Sequence, residues 1–234
     1  MRKYIWAASL ALFGEGTLSQ ESRSALEDLV RIPALTLEQL RKDPDRWLGL
    51  RVKLAVAWGE EKPVGNPYFT RFHSSGYVRF AVREGAGPLW EPQAYAGEFS
   101  HLFAAKGSPL LSVLRGAKKN ERIELTVIVR DAFRGVPWCE VAGAKFSGTW
   151  TPEGTLVAVA RAHKLLAEGQ RPLAVDQFQQ ALVEPLPRCE KVALLKEIAA
   201  VQTDLRETAK AKETLRAALQ LAPDDRELQE AVKD

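Results

Sequence analysis

The C-terminal third of the chain repeats one helical pattern at an offset of 37 residues. Its apolar residues are spaced three and four apart, which places them on one face of a helix. Residues 155–234 are also rich in Ala, Leu, Glu, Gln and Lys, all of which favour helix. The matched residues are Ala174, Phe178, Ala181 and Leu182 in the first copy and Ala211, Leu215, Ala218 and Leu219 in the second. We therefore expect four helices, over residues 156–166, 174–182, 192–203 and 208–221, and a short fifth helix over 226–233.

This pattern resembles the tetratricopeptide repeat, whose period is about 34 residues. The resemblance covers residues 155–223, with Gly169 at the turn between the helices and Pro223 at the closing proline. Arg206 stands where the second turn glycine is expected, and the aromatic residue and glycine of the first helix are missing in both copies. A generic bundle of four or five helices is the alternative interpretation.

The resemblance implies a non-catalytic adaptor or scaffold that binds a protein partner. Repeats of this family bind partners along the groove formed by the first helix of each pair. On this chain the candidate groove residues are Val159, His163 and Lys196.

The middle of the chain alternates apolar and polar residues, as half-buried strands do. Strands are predicted over residues 48–58, 77–83, 122–130 and 138–142, with a turn over 131–135. Thr36 is predicted to cap a short helix that ends at Asp43-Pro44. The stretch 99–105 is predicted to form another short helix.

This arrangement resembles an oligonucleotide/oligosaccharide-binding (OB) fold, a small Greek-key β-barrel, over residues 36–147. A small β-sandwich or an SH3-like barrel is the alternative. The fold class is therefore predicted as α+β, with an OB-like barrel followed by a tetratricopeptide-like helical array. The predicted domains are the barrel at 36–150 and the helical domain at 151–234, after a lead-in at 17–35.

Charge differs between the two predicted domains. Residues 45–150 carry 15 basic and 10 acidic side chains, whereas residues 151–234 carry 12 basic and 14 acidic ones. The basic excess suggests an alternative function, in which the barrel binds single-stranded nucleic acid through stacked aromatic rings and cations and the repeats multimerise it. We expect this less than protein binding, because the excess is modest. The candidate ligand face comprises Arg51, Lys53, Tyr68, Arg71, Tyr77, Arg79, Arg130 and Arg134.

No motif for catalysis, a metal or a cofactor occurs in the sequence. The three histidines are scattered, and neither a HExxH nor a CxxC pattern is present. We therefore expect no enzyme activity and no cofactor. No apolar run reaches the roughly 20 residues of a membrane-spanning helix, so a multi-pass membrane protein is not expected.

The N-terminus has the pattern of a secretory signal or an anchor. Arg2 and Lys3 precede the apolar run Tyr4–Phe13, and small residues follow. The pattern favours export or N-terminal anchoring through residues 1–16 over a cytoplasmic location, although an amphipathic or buried helix stays open. An exported chain could pair Cys139 with Cys189.

Overall fold

A computed structural model describes residues 32–65, 70–92, 94, 97–183 and 186–233. Within the chain, Pro33–Asp234 forms one compact unit. The predicted signal or anchor at 1–16, nearly all of the lead-in and the candidate ligand residue Tyr68 lie outside the described residues.

The described residues of the first part of this unit include six strands and two short helices. The strands are β1 Ala34–Leu35, β2 Arg51–Lys62, β3 Tyr77–Glu84, β4 Phe99–Ala105, β5 Glu121–Phe133 and β6 Val136–Trp150. Helix α1, Leu37–Lys42, follows β1, a 3₁₀ turn spans Asp45–Trp47, and α2, Leu110–Arg115, lies between β4 and β5. Thr36 caps α1 as predicted, in a capping box with Gln39.

The strands form one mixed sheet whose pairings run in a circuit. Strand β2 pairs antiparallel with β3 through its second half and with β5 through its first half. Strands β3 and β4 are antiparallel, β4 and β6 are parallel, and β6 and β5 are antiparallel. The order β2-β3-β4-β6-β5 thus returns to β2, and β1 adds a short parallel pairing to β2.

Alternation along the strands creates the core of the sheet. In β2, Val52, Leu54 and Val56 are at most 1 % exposed, whereas Arg51 and Ala55 between them are exposed. Period-two alternation sends successive side chains to opposite faces of a strand, so the apolar set gathers on one side. Equivalent residues from the five long strands complete this core.

The prediction of a helix over 99–105 is wrong, because this segment is β4. Leu102 and Ala104 point into the core, and Phe103 is buried in a separate aromatic cluster on the opposite face. A strand that is covered on both faces reads as a continuous apolar run, which periodicity alone does not distinguish from a short helix.

Five helices follow the sheet, as predicted. They are α3 Glu153–Ala167, α4 Arg171–Ala181, α5 Arg188–Asp204, α6 Thr208–Leu221 and α7 Arg226–Ala231. The most extensive helix contacts join α3 to α4 and α5 to α6, and α4 also packs on α5. The predicted α+β class, with strands first and helices after them, is confirmed.

The repeated residues occupy the interior of the helical part. Ala174, Phe178, Ala181 and Ala218 are fully buried and Ala211 is 2 % exposed, whereas Leu182, Leu215 and Leu219 are partly buried. Small side chains at matched positions allow neighbouring helices to approach closely, and Phe178 fills the space that remains.

A buried ion pair joins the sheet to the helices. Glu190, in the first turn of α5, is fully buried and accepts a hydrogen bond of 2.5 Å from Arg122 of β5. The Thr151 hydroxyl lies 2.7 Å from both carboxylate oxygens, and the Leu89 backbone N–H donates to one of them at 3.2 Å. A buried charge needs such partners, because desolvation penalises it strongly.

The segment that follows β3 adds apolar contacts to this junction. Leu89 packs with Ala57 of β2 and Leu156 of α3, and Trp90 packs against the helical core. The predicted domain boundary near residue 150 falls at the end of β6, directly before α3.

Candidate binding surfaces

A groove of about 490 Å³ lies along the C-terminal halves of α3 and α5. Ala200, Val201 and Leu166 supply its apolar lining, and charged side chains border it. The charged lining residues are Arg171, Lys196, Glu197 and Asp204. The groove is open and its lining is partly charged, whereas small-molecule sites are mostly apolar and enclosed.

Ion pairs hold the charged groups at the groove. His163 of α3 lies 2.9 Å from Glu197 of α5, and Arg171 lies 3.4 Å from Asp204. Lys196 contacts Asp225 at 2.8 Å and Glu227 at 3.1 Å. The hydrogen bond to Asp225 raises the pKa of Lys196, and the same contact lowers the pKa of Asp225.

One of the three predicted groove residues lines this surface, and a second contacts a residue that does. Lys196 lines the groove, and His163, whose side chain is 45 % exposed, contacts the lining residue Glu197. The placement of Val159 is wrong, because this residue is fully buried in the helical core. Sequence reasoning missed Ala200 and Asp204, although both follow Lys196 at the four-residue spacing that marks one helix face.

The predicted ligand residues that the structure describes are spread over separate parts of the sheet and its loops. Arg51 and Lys53 lie at the start of β2, whereas Arg79 of β3 is opposite Lys62 at the other end of β2. Arg130 lies near the end of β5, Arg134 in the turn after it, Tyr77 at the start of β3 and Arg71 in the preceding loop.

Most of these cations already have partners within the protein. Lys53 pairs with Glu124 at 3.3 Å, and Arg130 pairs with Glu140 at 2.6 Å. Arg79 donates to the backbone oxygen of Ser100 at 2.6 Å and to its hydroxyl at 2.8 Å. These contacts orient the side chains along the outer face of the sheet.

Three aromatic rings stack in parallel on the outer face of β4 and β6. Phe72 lies on Phe103 with ring centroids 4.1 Å apart and an interplanar angle of 12°. Phe103 lies on Trp138 at 5.2 Å and 6°. Tyr77 meets Phe72 edge-on at 5.0 Å. Phe72 and Phe103 are fully buried, so the stack is closed to solvent in this conformation.

His101 borders the stack, with its ring 4.9 Å from that of Trp138. Burial lowers the pKa of His101 to about 4, and the charges of Arg79 and Arg41 act in the same direction. The imidazole is therefore neutral at pH 7.

Reactive and metal-binding groups are sparse in the described part of the chain. No three His, Cys, Asp or Glu side chains among the described residues lie where they could share a metal ion. Cys139 and Cys189 are both free thiols, and burial raises the pKa of Cys139 to about 12. Across the same residues, every helix is too short or too polar to traverse a bilayer.

The chain was compared with protein families, with curated proteins and with solved structures. No protein-family model matches the chain, and no curated protein is similar to it. Among solved structures, the chain is similar to asparaginyl-tRNA synthetase from Pyrococcus horikoshii, with 14 % sequence identity and a TM-score of 0.37. The similarity covers 76 % of this chain and 36 % of the synthetase, so the chain spans little more than a third of that protein's length.

Proposed function

We propose that this chain is a non-catalytic protein-interaction protein. A tetratricopeptide-like array, made of the pairs α3–α4 and α5–α6 with α7 as the closing helix, holds a partner segment in the groove along α3 and α5. An OB-like barrel formed by β2–β6 is the second binding module.

The observation that carries this proposal is the open groove on the first helices of two similar pairs. Each second helix places alanines at matched positions and one larger apolar residue between them, Phe178 in α4 and Leu215 in α6. The groups that border the groove include both cations and carboxylates, among them Arg171 and Asp204, so a partner would meet charges of both signs.

The circuit of strand pairings supports the second module. Five strands close on themselves in the order β2-β3-β4-β6-β5, the β4–β6 pair is parallel, and α2 lies between β4 and β5. A five-stranded Greek-key barrel of the OB type has such a closed arrangement and binds ligands on its surface and loops.

Site-specific photo-crosslinking of the full chain tests the groove. A crosslinking amino acid replaces Ala200, which is exposed and lines the groove, or Gln220, which is exposed on α6. We expect one protein to be captured from native cells through position 200 and not through position 220. Equal capture at both positions, or capture at neither, would refute the proposal.

The parallel ring stack favours a second candidate function, the binding of single-stranded nucleic acid by the sheet. Bases stack on such rings, and cations neutralise phosphates. In the present conformation Phe72 covers the ring stack, so a base cannot stack on Phe103.

A further inference from the structure

The segment Thr70–Gly76, here called the strap, covers the outer face of the sheet through one ring. Phe72 is fully buried against Phe103 and Trp138, whereas the neighbouring Arg71 and His73 are exposed.

Few polar contacts fasten the strap to the sheet. Between described residues, the backbone hydrogen bonds of residues 70–75 stay within residues 70–77, as in His73 N–H to Arg71 and Tyr77 N–H to His73. The bond from Lys106 N–H to Gly76 joins the strap to β4 at its last residue. A segment with so few backbone bonds to its surroundings opens at a low free-energy cost.

The covered site contains a polar group that the protein leaves unpaired. Trp138 is 9 % exposed, and its indole N–H has no acceptor among the described residues. A buried donor without an acceptor is unfavourable, so a ring that brings an acceptor satisfies it better than the phenyl ring of Phe72.

The charge around the stack is positive. Arg71 adjoins Phe72, Arg79 is opposite Phe103, and Arg134 lies over Phe133 at the edge of the cluster. Arg130 is bonded to Glu140, and Asp131 is opposite Trp138. These residues comprise four cations and two carboxylates, and this positive excess favours an anionic ligand over a cationic or neutral one.

We propose that the strap is a reversible cover, in which Phe72 occupies the place of a stacked base and opening exposes Phe103 and Trp138 to single-stranded nucleic acid. Apparent affinity is then reduced by the fraction of molecules in which the strap is open. Removing the Phe72 ring removes that penalty.

Three full-length chains test this proposal: the wild type, Phe72→Ala, and Phe133→Ala as a matched control that removes a neighbouring ring of the same cluster and keeps Phe72. The binding of a fluorescein-labelled dT 15-mer is measured by anisotropy at low salt, beside an abasic 15-mer with the same phosphates. We expect Phe72→Ala to bind dT at least about tenfold tighter than the wild type. The abasic strand and Phe133→Ala should show no such gain.

An equal gain for the abasic strand would overturn the stacking site, and no gain for dT would overturn the cover. A gain for Phe133→Ala equal to that of Phe72→Ala would also overturn it. Trypsin cleavage after Arg71, located by mass spectrometry, should accelerate in Phe72→Ala.

If Phe72→Ala does not fold, hydrogen exchange of the wild type measures the opening of the strap directly. The strap amides should exchange at least about tenfold faster than those of Val78–Val82 in β3. Equal protection would overturn the proposal. None of these measurements depends on the helical groove.

Discussion

The groove of the helices and the outer aromatic face of the sheet differ in how far they are exposed to solvent. The groove is open, and its charged groups form exposed pairs such as Arg171–Asp204. The sheet instead fills its aromatic face with Phe72 from its own loop. In the functions proposed above, the first surface binds a partner without rearrangement, whereas the second becomes available only when Phe72 leaves the stack.

The largest effect is expected at the junction that makes one body of these two regions. Glu190→Ala leaves the Arg122 guanidinium buried without its carboxylate, which should lower the free energy of unfolding by about 3–5 kcal/mol. Urea denaturation measures this loss. The double substitution Arg122→Met/Glu190→Met, which removes both charges, should recover most of it. A single variant within about 1 kcal/mol of the wild type would contradict the role of this pair.

The second prediction compares two fully buried phenylalanines, one in each region. Phe178→Ala should cost about 3–5 kcal/mol, because three helices surround the cavity and cannot collapse into it. Phe72→Ala should cost less than half as much, because the strap can move. Denaturation midpoints of both variants check this ratio. Equal losses would show that the strap is as firmly packed as the helical core.

The third prediction uses the histidine beside the aromatic stack. His101 has a pKa of about 4 in the folded protein, whereas an unperturbed histidine titrates near 6.5. Between these values the unfolded chain binds more protons, so the free energy of unfolding should fall as the pH drops from about 6.5 to about 4. Because the ring is partly exposed, we expect the loss to be about 1 kcal/mol after allowance for screening.

Urea denaturation at pH 7 and pH 4.5 measures this slope, with His101→Asn as the control. Because asparagine does not titrate, His101→Asn should lose less free energy of unfolding between pH 7 and pH 4.5 than the wild type does. An unchanged slope in His101→Asn would assign the pH dependence to other groups.

The smallest effect is expected in the open groove. Arg171 and Asp204 are 49 % and 62 % exposed, so Asp204→Ala should change stability by less than about 0.5 kcal/mol. Thermal denaturation is sufficient to detect a larger change. A loss above about 1 kcal/mol would show that the groove charges stabilise the fold instead of presenting a surface.

Local patterns predicted the elements of this molecule better than its sites. The spacing of Ala174, Phe178 and Ala181 indicates a helix and its buried face, since both depend on residues close in sequence. The strand β4 was not predicted because both of its faces are buried. Phe72, which covers Phe103, comes from a loop whose position cannot be read from the periodicity of the sequence. The exposure of a given side chain is equally non-local: Val159 and His163 are four residues apart on α3, yet one is buried and the other borders the groove.

Glu190 shows the same limit more sharply. An acidic residue in the first turn of a helix is typical of a solvent-exposed position that favours the helix dipole. Its actual partner, Arg122, is 68 residues away in the chain. Arg122 and Glu190 meet only because the sheet closes and α5 packs against it. No rule based on sequence spacing predicts this contact.

The buried Arg122–Glu190 contact also has a mechanical consequence. It joins the beginning of β5 to the first turn of α5, and Leu89 and Trp90 add apolar contacts at the same junction. If one ligand bound to the sheet and another to the groove, the distance and angle between the two ligands would therefore stay constant. A flexible linker between the two regions would let that distance and angle vary.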